Sequence, residues 1–153
     1  MRLACLVALF LVALLAGCGG SSEEGGGGSR PAQGQLGIEA LAITPADHDV
    51  AKTVGRKLPD DGVLVLRFKT GSPAKAAGIT DYSANRNSVT DSDAIETVDG
   101  KPATPELVAG PMPGRKAGDT VTLHVWAPDG TERDVRVKLA EVKQPDVGPF
   151  VGG

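Results

Sequence analysis

The chain lacks any apolar run long enough to cross a bilayer. Leu3 to Leu15 is uninterrupted but only about 13 residues, whereas a helix needs about 20 to traverse a ~30 Å hydrocarbon core. Histidine is almost missing: His48 and His124 are the only two, and neither stands near a Gly-rich serine motif. That leaves no sequence support for a nucleophile–base pair. Glu23 and Glu24 sit together in a Gly/Ser stretch, which cannot hold two carboxylates in the fixed geometry that catalysis requires. No enzyme activity is expected. Cysteine is equally scarce, with Cys5 inside the apolar run and Cys18 just past it. Charge of one sign is lacking too: 16 Lys and Arg face 19 Asp and Glu, interspersed, for a net charge of −3. This excludes the basic footprint of a nucleic-acid binder and the block of an acidic tail.

What is present begins at the first residue. Met1-Arg2 supplies a charge, the short apolar run follows, and Leu15-Ala16-Gly17-Cys18 closes it. A charged start, a short apolar core and small residues at its end describe a leader peptide rather than a span. The last four residues resemble the lipobox cut by lipoprotein signal peptidases. That resemblance implies cleavage before Cys18 and a diacylglyceryl group on its sulfur, the thiol being the atom the chemistry needs. It also implies a protein lipid-anchored in the cell envelope, on the membrane outer face or the periplasmic side. An ordinary secretory signal and a retained membrane helix are the competing readings. Two or more acyl chains give stable anchoring, at roughly 0.8 kcal/mol per buried CH₂. With Cys5 removed and Cys18 lipidated, the mature chain has no thiol pair, so no disulfide or zinc site is expected. Loss of Arg2 leaves 15 basic against 19 acidic residues, a mature net charge of −4.

Residues 18–35 are dominated by Gly and Ser without apolar periodicity and read as a flexible tether. Residues 36–142 have the composition of one small domain, and 143–153 form a Pro- and Gly-rich tail. Within the domain, Leu36, Ile38, Leu41 and Ile43 predict a strand. Thr44-Pro45-Ala46-Asp47 opens a helix to about Arg56, with Thr as N-cap, Pro at the first helical position and an acid two residues on. Val50 and Val54, four apart, share its expected inner face. Val63 to Phe68 is a near-continuous apolar run, the mark of a strand buried on both faces. Ser72 to Gly78 is a capped short helix, Ala94 to Val98 a strand turned by Asp99-Gly100, and Thr104-Pro105 opens a further helix. Two prolines and two glycines between Gly110 and Gly114 cut that helix short. Val121, Leu123, Val125 and then Val135, Val137, Leu139 alternate on either side of Pro128-Asp129-Gly130, predicting a hairpin with His124 on its outer face. The pattern is α+β: five to six short strands capped by two to three short helices, in a small, partly open β-barrel or sandwich.

Five motifs in order then resemble a known family: Leu36-Gly37-Ile38, Gly62 to Val65, Gly71-Ser72-Pro73-Ala74-Lys75-Ala76-Ala77-Gly78-Ile79, Asp93 to Pro102, and Gly118 to Leu123. Together they are similar to the PDZ domain of bacterial HtrA/DegP-type proteins, over nearly all of residues 36–139. The resemblance implies a PDZ-like fold and a peptide-binding role. Such domains add a C-terminal or extended peptide as a strand to an exposed sheet edge and capture its carboxylate on backbone amides. By that resemblance Gln35, Leu36, Gly37 and Ile38 form the carboxylate-binding loop, and Glu39, Ala40 and Leu41 the peptide-pairing strand. Leu107 and Val108 are the candidates for the groove helix; adjacent helical residues diverge by ~100°, so one of them belongs to the core. Implied partners are peptide or protein C-termini, an envelope protease or its substrates, and the lipid membrane through Cys18, with no nucleic acid. No cofactor is expected. Affinities near micromolar, about −8 kcal/mol, suit a short peptide.

Two departures from the family pattern stand out. The second groove-side helix is cut by its prolines, and Thr80 to Ser92 inserts a longer polar loop than the family carries. The inserted loop offers oxygen ligands, yet its spacing does not match the helix-loop-helix calcium pattern, so a solvated surface loop is preferred and no metal is expected. A non-catalytic docking or assembly role with a vestigial groove is the alternative function. Trp126 fits either an outer-face position or a contact.

Overall fold

The computed structural model describes residues 31–82 and 91–142. Cys18, the tether through Arg30, Ser83–Thr90 of the inserted loop and the tail from Lys143 lie outside the described residues.

Local signals nucleate the helices. Thr44 caps α1 (Pro45–Thr53): its hydroxyl accepts from Asp47 N–H while the Asp47 carboxylate accepts from Thr44 N–H at 2.8 Å. Ser72 caps α2 (Pro73–Ala76) and Thr104 caps α3 (Pro105–Ala109), each accepting from the N–H three residues on. These bonds occupy donors that a helix start otherwise leaves orphaned.

The strands are β1 (Gln33–Gln35), β2 (Ile38–Ala42), β3 (Val63–Phe68), β4 (Ala94–Val98), β5 (Lys101–Pro102), β6 (Pro111–Lys116), β7 (Thr120–Trp126) and β8 (Glu132–Lys138). Five of them run in the antiparallel order β2-β3-β4-β7-β8, with β5 paired to β4 to make a six-stranded sheet. A second sheet holds β1 and β6 alone. The architecture is α+β with no closed barrel.

Eight strands among the described residues exceed the five or six expected. Two of the extra ones stand where the sequence pointed elsewhere. Gln33–Gln35 falls inside the stretch read as tether, and the Pro-rich segment after α3 becomes β6. Proline cannot donate to a ladder but is tolerated on an edge, and among the described residues β6 pairs on one side only, with β1. Gly34 makes this approach possible: a Cβ there would lie 2.6 Å from Lys116 O and 2.8 Å from Leu139 Cδ1.

The core lies between one face of the large sheet, helices α2 and α3, and the small sheet. Leu36, Ile38, Val63, Val65, Ile95, Val108, Val121, Leu123, Val125, Val137 and Leu139 are all at most 2% exposed. Each such side chain contributes about 1.5–3 kcal/mol relative to exposure, and no cysteine stands among the described residues to add a covalent tie. Helix α1 contributes little of it. Val50 and Val54 are 44% and 58% exposed, and Ala51 is the residue it buries. The predicted period was right, but the face that meets the protein lies one residue over.

The base of the inserted loop is pinned. Thr80 N–H donates to Asp93 Oδ2 at 2.9 Å, and Asp93 N–H donates to Thr80 O at 3.0 Å. Asp93 is fully buried rather than solvated. Arg133 on β8 donates to its carboxylate at 2.7 Å and to Gly78 O at 3.0 Å. Arg56, also buried, donates to Ser92 O at 2.5 Å. Burial holds the Asp93 carboxyl above its ordinary range, against the pull of Thr80 N–H and of the Arg133 and Arg56 charges.

Candidate functional site

The site is built around a turn. Gly37 sits between β1 and β2 at φ +69°, a conformation L side chains rarely adopt. A Cβ there would stand 2.9 Å from Ser72 Cα, 3.1 Å from Val142 Cγ2 and 3.2 Å from Pro73 Cδ. Three successive carbonyls of this turn face inward. Gln35 O accepts from Ala140 N–H at 3.3 Å, and Gly37 O accepts from Lys69 N–H at 2.8 Å. Leu36 O accepts from Ala74 N–H at 3.2 Å and from the Ser72 hydroxyl at 3.0 Å. A trans peptide unit points its C=O and N–H in opposite directions. The N–H groups of Leu36, Gly37 and Ile38 therefore face away from those partners, and the first two donate to no backbone carbonyl among the described residues. Consecutive donors around such a turn form an anion-binding nest.

The turn leads into β2, the outermost strand of the large sheet, whose only strand partner among the described residues is β3. Register decides which backbone groups remain available. Ile38 lies opposite Phe68, and the adjoining bond from Lys69 N–H to Gly37 O makes that pair a non-hydrogen-bonded one. The bond from Ile43 N–H to Gly62 O does the same for Ala42 opposite Val63. The register shift after Glu39 leaves Leu66 of β3 as the extra residue, so the two-residue alternation along β2 itself is unbroken. Ile38, Ala40 and Ala42 thus direct their backbone groups to the free edge, while Glu39 and Leu41 direct theirs to β3. Of the three residues expected to pair with a peptide, Ala40 alone presents its backbone outward. Glu39 instead accepts from Arg67 Nε at 2.5 Å, and the Leu41 side chain is 58% exposed.

Helix α3 packs against β2 and forms the facing wall. Val108 is fully buried and is the one of the two that belongs to the core. Leu107, half-buried against the core cluster, is the one left to line it. The Pro111–Lys116 segment does not fill the space beside β2, because it is spent on β1. Sequence reasoning missed Lys69. This residue follows β3 directly, and its Nζ donates to Ala109 O, at the end of α3, over 2.8 Å. A lone lysine after a strand carries no sequence signal of such a reach.

The opposite face of the sheet carries a charged cluster. His124 Nδ1 lies 2.8 Å from Asp134 Oδ1, with Glu132 and Glu96 at 3.4 and 3.7 Å from Nε2. The hydrogen bond to Asp134 is the chief reason the imidazole titrates above its ordinary value. Trp126 Nε1 donates to Glu96 Oε2 at 2.8 Å, which fixes the indole on this outer face and away from β2. Among the described residues no group of three or more His, Cys, Asp or Glu side chains could hold a metal ion. No described helix is long and apolar enough to cross a membrane.

No protein-family model matches the chain, and no curated protein matches it. Among solved structures it is similar to the HtrA-type protease AlgW, determined with a decapeptide. That alignment has a TM-score of 0.53 and 21% identity, covering 74% of this chain and 30% of AlgW. The fold is PDZ-like. An aminopeptidase N family protein from Idiomarina loihiensis aligns at a TM-score of 0.48 and 21% identity, over 81% of this chain and 16% of that one, too loosely to bear on the fold. The chain therefore spans less than a third of the length of either protein. In this PDZ-like domain the turn at Gly37, the free edge of β2 and helix α3 stand together.

Proposed function

We propose that the chain is a peptide-binding module of the cell envelope that takes a C-terminal or extended peptide as an added strand on β2. The observation that carries this reading is the position of β2: an edge strand with Ile38, Ala40 and Ala42 facing outward, flanked by α3 and preceded by a turn with spare amide donors. Main-chain pairing supplies affinity in this mode, and pockets for alternate side chains supply selectivity. AlgW's decapeptide fits the same reading. The role is one of binding without catalysis, toward protein C-termini, with an envelope protease or its substrates as the partner class. A lipid on Cys18 holds the domain at the membrane, on its outer face or the periplasmic side.

The test is a screen of the purified chain against a C-terminal peptide array, followed by NMR titration. Shifts should concentrate on Leu36 to Ala42 and on Leu107, with affinities near micromolar. Trp126 fluorescence should stay flat, since the indole lies on the other face. A second reading, docking of a neighbouring protein with no working groove, draws on the shortness of α3, which spans only Pro105–Ala109. Absence of peptide binding at millimolar concentration favours it. The anchor is tested separately: cells expressing the chain should incorporate labelled palmitate, and C18A should abolish both label and membrane association.

A further inference from the structure

We infer that a cavity on the outer face of the large sheet binds a small uncharged molecule with an aliphatic body and one hydrogen-bonding end, such as an alcohol, an ester or an amide. The site does not depend on the peptide groove. The alternation that sends Ile38 into the core turns Leu41 to the opposite face of β2, directly across from Leu64 of β3. Leu64 is only 4% exposed although it stands apart from the core cluster, so the sheet is walled here rather than flat. With Leu41, Leu66 and Tyr82 it encloses a space of about 610 Å³. Cavities that hold small molecules run from about 300 to 1,000 Å³ and are mostly apolar, with a few placed polar groups.

Two polar residues decide what the guest must be. Ser92, at the base of the inserted loop, lines the cavity at 1% exposure, and its hydroxyl has no hydrogen-bond partner among the described residues. Arg56 holds the Ser92 carbonyl, and the neighbouring Asp93 is tied to Thr80 through both its amide and its carboxylate. The hydroxyl is thus positioned in advance. A buried polar group left unpaired is costly, and a polar atom on the guest removes that cost. Asp47 is the one charged side chain among the described residues lining the cavity, and its carboxylate already accepts from the N–H and the hydroxyl of Thr44 at 2.8 and 2.6 Å. An acid on the guest is disfavoured whichever way it points: inward it loses its water, and toward Asp47 it is repelled.

The register of the sheet supplies a readout. Leu41, Leu64, Ala94 and Trp126 are directly opposed residues on the neighbouring strands β2, β3, β4 and β7. Neighbouring strands lie about 4.8 Å apart, which puts the Trp126 backbone about 10 Å from that of Leu64. The indole is close enough to pass its excitation to an aromatic guest in the cavity, while a peptide on the β2 edge leaves it undisturbed.

The experiment titrates N-phenyl-1-naphthylamine into the intact chain and excites it through Trp126. Probe emission should rise to saturation, and 1-decanol should displace the probe at a concentration about 5-fold or more below that of decanoate. L41E sets a second carboxylate at an exposed position of the wall; it should abolish the energy transfer and leave thermal unfolding nearly unchanged. S92A should keep or raise the Tm of the empty protein, since no bond is lost, and should weaken decanol about 3- to 10-fold. A probe that receives no energy from Trp126, or one whose transfer survives L41E, overturns the site. Equal displacement by decanol and decanoate, or decanol binding indifferent to S92A, overturns the chemistry assigned to the guest. A clear drop in the Tm of S92A would show the hydroxyl spent within the protein, and overturns it as well.

Discussion

Replacing Gly37 by alanine separates two costs that are usually confounded. The residue sits at φ +69°, and so does Gly55 very nearly, at +74°. A Cβ at Gly55 meets nothing within 4 Å, whereas at Gly37 it meets Ser72 Cα at 2.9 Å, with Val142 and Pro73 close behind. Left-handed backbone costs a non-glycine residue about 1–2 kcal/mol, and both variants bear that cost. At Gly37 the nearest atom is backbone at the start of a helix, so relief requires α2 to shift away from the turn. An overpacked core position costs about 1–3 kcal/mol more. G55A should therefore lose about 1–2 kcal/mol and G37A about 2–5. For a domain of this size, 1 kcal/mol corresponds to roughly 4–8 °C in Tm. Thermal unfolding followed by circular dichroism should then show G37A melting at least about 10 °C below the parent and well below G55A. If the two variants melt together, the close approach of the turn to α2 is wrong. With it would go the inward placement of the carbonyls that aims the amides outward.

The remaining expectations concern titrating groups. A buried Asp93 whose folded pKa is raised binds its proton more tightly in the native state. Its contribution is therefore full below the unfolded value and is lost as pH rises through the folded one. R133M removes a compensating charge, so it should cost about 2–3 kcal/mol at neutral pH and distinctly less in acid once Asp93 has taken up its proton. Urea unfolding at the two pH values measures this, and an equal loss at both would refute it. His124 has its folded pKa raised, so its stabilisation is present below about 6.5 and fades as pH climbs through the folded value. Because the cluster is solvent-screened, the effect should stay below about 1 kcal/mol. NMR titration of the His124 ring should give a pKa above the ordinary value, and D134N should lower it. A pKa at or below the ordinary value would dismiss the contact.

What the sequence disclosed divides along the range of the interactions involved. Thr44, Ser72 and Thr104 each precede a proline, and each caps a helix, because a cap is decided within four residues. Asp99-Gly100 turns with φ of 49° and 74° for the same local reason. Val121, Leu123 and Val125 alternate inward along β7 as their period requires. The strands β1 and β6 escaped notice because their pairing spans most of the domain and their residues, QGQ and PMPGRK, carry the marks of tether and breaker. Only Gly34 hinted otherwise, and its meaning depends on Lys116 and Leu139 standing against it. The site shows the same split. The Gly37 turn and the strand after it could be placed from a short motif, but which of Ile38, Glu39, Ala40 and Leu41 faces outward was set by the long-range bonds from Lys69 to Gly37 and from Ile43 to Gly62. Asp93 looked like one more oxygen in a polar loop until Arg133, forty residues on, came to rest against it. An acid in a polar stretch and an acid in a core are the same letter; the partner that distinguishes them is supplied by the fold.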